Sequence, residues 1–167
     1  DIFLYYRGYG EWIDGKPLLI PKDAKMDRHV TKYPLEQLVN NLSRLTVLSN
    51  IRTITLFLDI TYINPSKSVG SLWDFPKLPE KMCILSASSN GETSQIYGEK
   101  KHSFFTYAFL KGLAGGADDG DNVIDLGEIT EYIYKTVPEH VRSVSGSSRQ
   151  NPKFNGMDLK RTVLDLR

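Results

Sequence analysis

TITLFLDITYI, residues 53–63, is the stretch that decides the fold. It is rich in β-branched and aromatic residues and carries no charge before Asp59. Because it is apolar on both alternating faces, it is typical of a central strand covered by helices on both sides. Asp59 then lies at the carboxyl end of the strand, where ligands and catalytic groups collect in open α/β sheets. We therefore expect the functional edge at Asp59, Ile60, Thr61 and Tyr62.

A second apolar strand is predicted at residues 2–6, IFLYY, and it leads into RGYG at residues 7–10. A helix beginning at Pro34, with leucines recurring at helical spacing, would connect the two strands. A strand, a helix and a parallel strand form a right-handed βαβ unit. With the two strands side by side, we expect Tyr9 and Thr61 to face one another across one cleft.

Turn and cap signals divide the rest of the chain. The DG pair at residues 14–15 predicts a hairpin within residues 11–24. Asp125 and Glu128 form a capping-box pair for a helix that runs through Val137, with Pro138 just beyond its end. The other predicted elements are a polar linker at 26–32, a long loop at 64–81, a buried strand at 81–86, a second long loop at 87–101, a helix at 102–113, an acidic turn at 118–122, a loop at 144–150 and a last strand at 162–166.

Length, charge and cysteine content narrow the possible classes of protein. At 167 residues the chain is long enough for one domain with a real core, residues 1–167. A net charge of +1 gives no electrostatic reason to expect a nucleic acid or an anionic membrane as partner. No stretch approaches the length of a membrane span. The single cysteine, Cys83, excludes an internal disulfide and leaves the compartment undecided.

Several short motifs follow one another in a specific order. FLYYRGYG at residues 3–10 is followed by DGKPLLIPKDA at 14–24, and LDIT occupies residues 58–61. This order resembles the caspase-like cysteine peptidases, the clan of caspases and metacaspases, and especially the bacterial caspase-domain proteins. Their signatures are Ser-Gly-His-Gly, then a segment like Asp-Gly-x-x-Leu-Leu-Pro-x-Asp-Ala, then Leu-Asp-Ala-Cys. Further motifs in family order are ILSAS at 84–88, FFTYAFLKGL at 104–113, DGDNVIDLGEI at 119–129 and QNP at 150–152.

The resemblance implies a three-layer α/β/α sandwich with a mainly parallel central sheet. In the family, a strand and a helix precede the first signature, and this chain has no counterpart to them. Because Asp1 leads straight into a strand, we expect a fragment of a longer protein. The sheet would then expose an apolar edge, and an upstream segment or a second chain would complete it.

The departures from the family concern its catalytic pair. In the family, the histidine of the first signature and the cysteine of the second act as base and nucleophile. Here those positions hold Tyr9 and Thr61. A phenol is a poor base at neutral pH, and an unactivated threonine hydroxyl is a weak nucleophile. The resemblance therefore implies a pseudo-peptidase that binds a protein or peptide, or that serves as a regulatory or scaffold domain.

The alternative is an active cysteine-type endopeptidase with displaced catalytic residues. Cys83 would be its nucleophile, although a cysteine in a buried apolar strand is usually an inert small hydrophobe. His102 would be its base, although its position at the start of a predicted helix favours an exposed cap.

The resemblance also implies a set of partner-binding residues along the cleft. Asp59 has two possible roles: it binds a lysine or arginine of a partner, as the acidic residue before the cysteine does in metacaspase-like members, or it pairs with a local arginine. The other residues of this set are Gly8, Gly10, Ser86 and Ser88.

A calcium-responsive structural module is a third possibility. The acidic turn matches a calcium loop in part, but Ala117 stands at its first position and Asn122 at its sixth, where glycine is normal. These two departures favour a capped helix start over a metal site, and no cofactor is predicted. The residues that do fit positions three, five, nine and twelve of the loop are Asp119, Asp121, Asp125 and Glu128.

Overall fold

A computed structural model describes residues 1–25, 31–48, 50–63, 78–89, 91–146, 148–156 and 158–167. Its centre is a six-stranded sheet. In spatial order the strands are Tyr33–Pro34 (β3), Lys16–Ile20 (β2), Ile2–Ile13 (β1), Ile54–Tyr62 (β4), Met82–Ser86 (β5) and Lys153–Asn155 (β9).

The sheet is mixed. Its three central strands are parallel, with β4 between β1 and β5. The outer pairings, β1 with β2, β2 with β3 and β5 with β9, are antiparallel. The predicted α/β class and the predicted βαβ unit are therefore confirmed, whereas the sheet is parallel only at its centre.

Helices cover both faces of the sheet. Helix α1, Leu35–Leu48, shares one core with alternate residues of β4, among them Leu56 and Leu58. The side chains between them, such as Phe57, point into a second core with the helices Phe104–Lys111 (α2) and Leu126–Ser145 (α3). This double burial explains why residues 53–63 are apolar on both alternations.

Strand β1 is longer than the predicted residues 2–6. It runs without a break through Gly8 and Gly10, because it pairs with β4 up to Gly10 and with β2 from Tyr9 onward. The two glycines therefore lie within the strand and not in a turn. The predicted hairpin is confirmed, with Asp14 and Gly15 at φ values of 51° and 73°, as a two-residue turn of this kind requires.

The predicted end of the last helix at Val137 is wrong. Helix α3 continues through Pro138 to Ser145. Its buried residues Ile133, Val137 and Val141 recur every four positions on both sides of the proline. Packing of this stripe against the sheet offsets the hydrogen bond that a proline removes. The capping box of Asp125 and Glu128 at its start is confirmed.

Short elements account for the other differences between the predicted and the observed secondary structure. The helix predicted at 102–113 is α2, which spans only Phe104–Lys111. It is preceded by the short strand His102–Ser103 (β7). This strand pairs with Ile96–Tyr97 (β6), which lies inside the predicted second loop. A π-helical turn, Gly112–Gly116, follows α2. The last strand, Thr162–Asp165 (β10), pairs with Val123–Asp125 (β8) and lies outside the central sheet. Strand β9 was not predicted.

Parts of four predicted segments lie outside the described residues. These are residues 26–30 of the linker, 64–77 of the first long loop, 90 of the second long loop and 147 of the loop at 144–150. At the end of the linker, Lys32 is buried and forms an ion pair with Glu11 of β1. Within the described ranges, no helix has the length and apolar character needed to cross a bilayer.

Candidate functional site

Tyr9 and Thr61, which the resemblance predicts to be degenerate catalytic positions, lie side by side at the carboxyl ends of β1 and β4. Tyr9 is in register with Thr61, and Arg7 is in register with Asp59. Since residues in register on neighbouring parallel strands point to the same face, all four side chains lie on the side of the sheet that carries α2. The structure thus brings together the residues that the sequence placed at one edge.

Tyr9 is exposed to solvent, whereas the Thr61 hydroxyl is held in a hydrogen bond. The Tyr9 side chain is 58% exposed. The Thr61 hydroxyl donates a hydrogen bond to the backbone carbonyl of Ser94 at 3.1 Å. A carbonyl oxygen is not a general base, so this contact holds the hydroxyl proton without activating the oxygen as a nucleophile.

Asp59 is the buried charge at this edge, with 1% of its surface exposed. Its carboxylate accepts hydrogen bonds from four hydroxyl groups, which together with Asp59 we call the Asp59 cluster. The donors are Ser94 at 2.5 Å on Oδ1, and Tyr5 at 3.0 Å, Ser103 at 2.5 Å and Thr106 at 2.6 Å on Oδ2.

The cluster fixes helix α2 to the sheet. Ser103 is the N-cap of α2 and accepts a hydrogen bond from the backbone N–H of Thr106 at 2.9 Å. The same Ser103 hydroxyl donates to Asp59, so the carboxylate lies next to the first turn of the helix. A negative charge near a helix N-terminus is favourable because the unpaired N–H groups there are partly positive. This arrangement explains why a charge is tolerated inside the core.

Arg7 is the cationic partner of Asp59. Its Nε lies 3.7 Å from Oδ2 of Asp59, and 41% of the Arg7 side chain is exposed. Of the two predicted roles for Asp59, the geometry corresponds to pairing with a local arginine. Four hydroxyl donors already occupy the carboxylate, so a partner's lysine or arginine would have to displace them.

The Tyr5 hydroxyl is held in its donating form. Burial, and then the negative charge of Asp59, raise the pKa of the Tyr5 phenol well above its ordinary value. The phenol therefore stays protonated at neutral pH and supplies a stable hydrogen bond to Asp59.

The remaining predicted binding residues have packing roles. A Cβ at Gly10 would lie 2.6 Å from Cγ2 of Ile60, so this glycine allows β1 to approach β4 closely. Gly8 lies beneath the ring of Tyr6. Ser86 and Ser88 are both 1% exposed, and the Ser86 hydroxyl donates to the Ser88 carbonyl at 3.2 Å. The structure does not present these four residues as an open binding surface.

The candidate replacement nucleophile lies far from the cleft. Cys83 is fully buried in β5 and is in register with Thr55. Thr55 precedes Thr61 by six residues, which is about 20 Å along a strand. His102 pairs with Tyr97 in the small β6–β7 sheet. Cys83 therefore lies away from the sheet edge that holds Tyr9 and Thr61.

The acidic turn forms a cluster that differs from the predicted one. Carboxylate oxygens of Asp118, Asp119 and Asp121 lie within 4.8 Å of one another. The carboxylate of Glu128 instead accepts hydrogen bonds from the backbone N–H groups of Asp119 and Asp125, at 3.0 and 2.7 Å. Two of the four predicted ligands, Asp125 and Glu128, therefore serve to cap α3.

A scan against protein-family models matches no family, and a search of the curated proteins finds no sequence that is similar to this chain. The chemistry of the described residues is thus the basis for any functional assignment.

Sequence reasoning missed an aromatic cavity beside β1. Its volume is about 250 Å³. Phe3 and Tyr5, each 41% exposed, form the β1 wall. A signal was present in the sequence, since aromatic residues occupy positions 3, 5 and 9 of one strand alternation. The other lining residues are Phe57, Phe109, Leu113, Val163 and Leu164.

Proposed function

We propose that this chain is a pseudo-peptidase of caspase-like fold, which acts as a non-catalytic protein- or peptide-binding domain with a regulatory or scaffold role. The observation that carries the proposal is the pair Tyr9 and Thr61, in register at the carboxyl ends of two parallel strands. This is where the resemblance puts the catalytic histidine and cysteine. Both positions hold side chains that lack the required chemistry.

A nucleophile and base that act as a unit account for most of the rate enhancement in such enzymes, and removal of either member costs many orders of magnitude. Among the described residues, the Thr61 hydroxyl donates its hydrogen bond to the Ser94 carbonyl and contacts no base. Hydrolysis would then depend only on the modest contribution of substrate binding.

The arrangement of the fold supports the caspase-like assignment. The resemblance requires the two signature strands to be parallel neighbours, with a hairpin after the first and helices on both faces of the sheet. Strands β1 and β4, the β1–β2 hairpin and helices α1 to α3 have these relations.

Activity measurements on the natural chain and on a restored variant test the proposal. Fluorogenic peptides ending in Arg, Lys or Asp are incubated with the natural chain and with the double variant Tyr9→His and Thr61→Cys, both on a Cys83→Ala background and without it. We expect no turnover by the natural chain and measurable cleavage by the double variant. The single variant Thr61→Cys is the matched control, since it supplies a thiol without the base.

Turnover by the natural chain that is lost in Thr61→Val would contradict the proposal. Turnover lost in Cys83→Ala would instead favour the displaced nucleophile. Thiol alkylation supplies a second measurement: Cys83 should react only after unfolding, because none of its surface is exposed.

A further inference from the structure

Arg7 holds a positive charge on the α2 side of the sheet, near the carboxyl end of β1. Its ion pair is with Asp59, and Nε of Arg7 lies 3.7 Å from Oδ2 of that carboxylate. This distance is too long for a hydrogen bond, and among the described residues the guanidinium group makes none. Its five N–H donors are therefore available, in the planar fork that matches a carboxylate.

Asp59 does not use up the binding capacity of Arg7. The four hydroxyl groups of the Asp59 cluster already donate to the carboxylate, and the N-cap of α2 lies beside it. The negative charge of Asp59 is therefore stabilised by groups other than Arg7. An arginine that is 41% exposed can then bind a second anion and leave the buried carboxylate with its hydroxyl partners.

Tyr9 supplies a second unused donor beside Arg7. It follows Arg7 by two positions in β1, so the two side chains share a face and start about 7 Å apart along the strand. The Tyr9 side chain is 58% exposed, and its hydroxyl has no hydrogen-bond partner among the described residues. A guanidinium group and a phenol hydroxyl at this separation can donate to the two oxygens of one carboxylate.

The position of this pair does not depend on what lies on the side of β1 away from β4. Tyr9 is held between two strands, opposite Ile20 of β2 and Thr61 of β4. The Arg7 side chain reaches toward β4, where its ion-pair partner Asp59 lies. A strand added beside residues 2–8 would pair on the opposite side of β1, and both donors would stay where they are.

The neighbouring charges select the kind of anion. Glu11, the next residue of β1 on this face after Tyr9, forms an ion pair with the buried Lys32. Arg7 is then the one cation of β1, and the carboxylate of Asp59 lies beside it. A doubly charged phosphate would be repelled by Asp59 more strongly than a singly charged carboxylate would be. The site therefore matches a carboxylate better.

We infer that Arg7 and Tyr9 form a carboxylate-binding site, through which this edge of the sheet selects a partner that presents an aspartate or glutamate side chain. The inference deepens the proposed function and rests on it in one respect, that the domain binds a peptide and does not cleave it. It also reverses one implication of the resemblance. Asp59 would anchor Arg7 and would not bind a lysine or arginine of a partner, so the ligand meets the opposite charge.

A small probe tests the site on the whole 167-residue chain. The probe is N-acetyl-glutamate α-amide, whose one charge is the side-chain carboxylate, and its control is N-acetyl-glutamine α-amide. An NMR titration follows the Nε–H signal of Arg7 and the backbone amides of β1. We expect a saturable shift at Arg7 and Tyr9 with the glutamate probe. The glutamine control should bind at least about tenfold more weakly, since a hydrogen bond to a charged group contributes at least about one factor of ten.

Three protein variants supply the matched comparison. Arg7→Gln should weaken binding of the glutamate probe at least about tenfold, and Tyr9→Phe, which removes only the hydroxyl, about threefold. Arg52→Gln is the control, because Arg52 also pairs with an aspartate, Asp1, but at the amino end of the sheet. This control should bind the probe as the natural chain does. Urea midpoints of the three variants verify that each one is folded.

A random library of acetylated and amidated hexapeptides tests the selection of a partner. Peptides that the natural chain binds should be enriched in aspartate and glutamate, and this enrichment should disappear in Arg7→Gln. Enrichment in lysine or arginine would instead assign the ligand to Asp59 and would overturn the inference. So would a lack of enrichment in either charge, or an acidic enrichment that Arg7→Gln leaves unchanged.

Three results of the titration would also overturn the inference. These are the absence of a saturable shift at Arg7, equal binding of the glutamine control, and tighter binding of inorganic phosphate than of the glutamate probe. Cleavage of the fluorogenic peptides would overturn the proposed function separately. The small probe contains no peptide bond between two residues, so it reports on Arg7 whether or not the chain cleaves peptides, and the two failures are distinguishable.

Discussion

Replacing Asp59 with asparagine should destabilise the domain strongly although it removes no heavy-atom volume. The carboxylate is 1% exposed and accepts four hydroxyl hydrogen bonds. Hydrogen bonds to a charged group contribute about 1.5–3 kcal/mol each, and neutral ones about 0.5–1.5 kcal/mol. An amide keeps one oxygen acceptor and turns the other into a donor that faces a hydroxyl.

The loss can be worked out from these contacts. If all four contacts weaken from charged to neutral strength, each loses about 1 kcal/mol, and reorientation of hydroxyl groups recovers part of the total. The half-exposed Arg7 pair adds little because solvent screens it. We expect Asp59→Asn to lower the free energy of unfolding by about 3 kcal/mol. For a chain of this length, Tm should fall by roughly 6–12 °C.

Urea unfolding followed by circular dichroism at neutral pH measures this change. Asp14→Asn is the matched control, because Asp14 is an exposed turn residue with positive φ that asparagine tolerates. The control should stay within about 0.5 kcal/mol of the natural chain. A loss below about 1 kcal/mol for Asp59→Asn, close to that of the control, would refute the idea that the Asp59 cluster holds α2 against the sheet.

Three further predictions concern other sites. The buried Tyr62 hydroxyl has no hydrogen-bond partner among the described residues, so Tyr62→Phe should leave the free energy of unfolding unchanged or raise it by up to about 1 kcal/mol. Burial raises the pKa of Tyr62, so above about pH 10 the unfolded chain loses the Tyr62 proton more readily than the folded chain does. The free energy of unfolding should therefore fall as the pH rises above about 10. Urea midpoints measured above about pH 10 should fall less in Tyr62→Phe than in the natural chain. Gly10→Ala should cost about 1–3 kcal/mol, because the added Cβ meets β4 side chains at 2.6–3.0 Å, whereas Gly8→Ala meets only the movable Tyr6 side chain and should cost less than about 1 kcal/mol by the same measurement. Glu128→Ala should lower the free energy of unfolding by about 1 kcal/mol through loss of the helix cap. Calcium should leave Tm unchanged in the natural chain and in Glu128→Ala. A calcium-dependent rise in Tm of the natural chain that Glu128→Ala abolishes would support a metal site at the acidic turn.

The centre of the fold could be predicted because several local signals agree there. Residues 53–63 are apolar on both alternations, and the DG turn at 14–15 fixes the β1–β2 hairpin. The side-by-side placement of Tyr9 and Thr61 followed from the rule that parallel strands end at one edge. The resemblance to caspase-like proteins stays a prediction, as do the roles that it implies.

What could not be predicted depends on contacts between distant segments. On local sequence signals alone, Pro138 indicates a helix end. Helix α3 continues beyond it because Val137 and Val141 are buried in the core. Short strands such as β9 have too few residues to show a periodicity. The hydroxyl groups around Asp59 carry no sequence pattern either, although Ser103, three residues before Thr106, is an N-cap signal that could have been found.

The Asp59 cluster also has a consequence for the order of folding events. Its four hydroxyl donors lie 35 to 54 residues from Asp59 along the chain. Each contact therefore requires closure of a long loop, and the entropy of that closure is lost before the contact is gained. We infer that the cluster assembles after the main barrier has been crossed. Interactions of this kind act on the unfolding rate and hardly on the folding rate, so the buried carboxylate would set how long the native state persists.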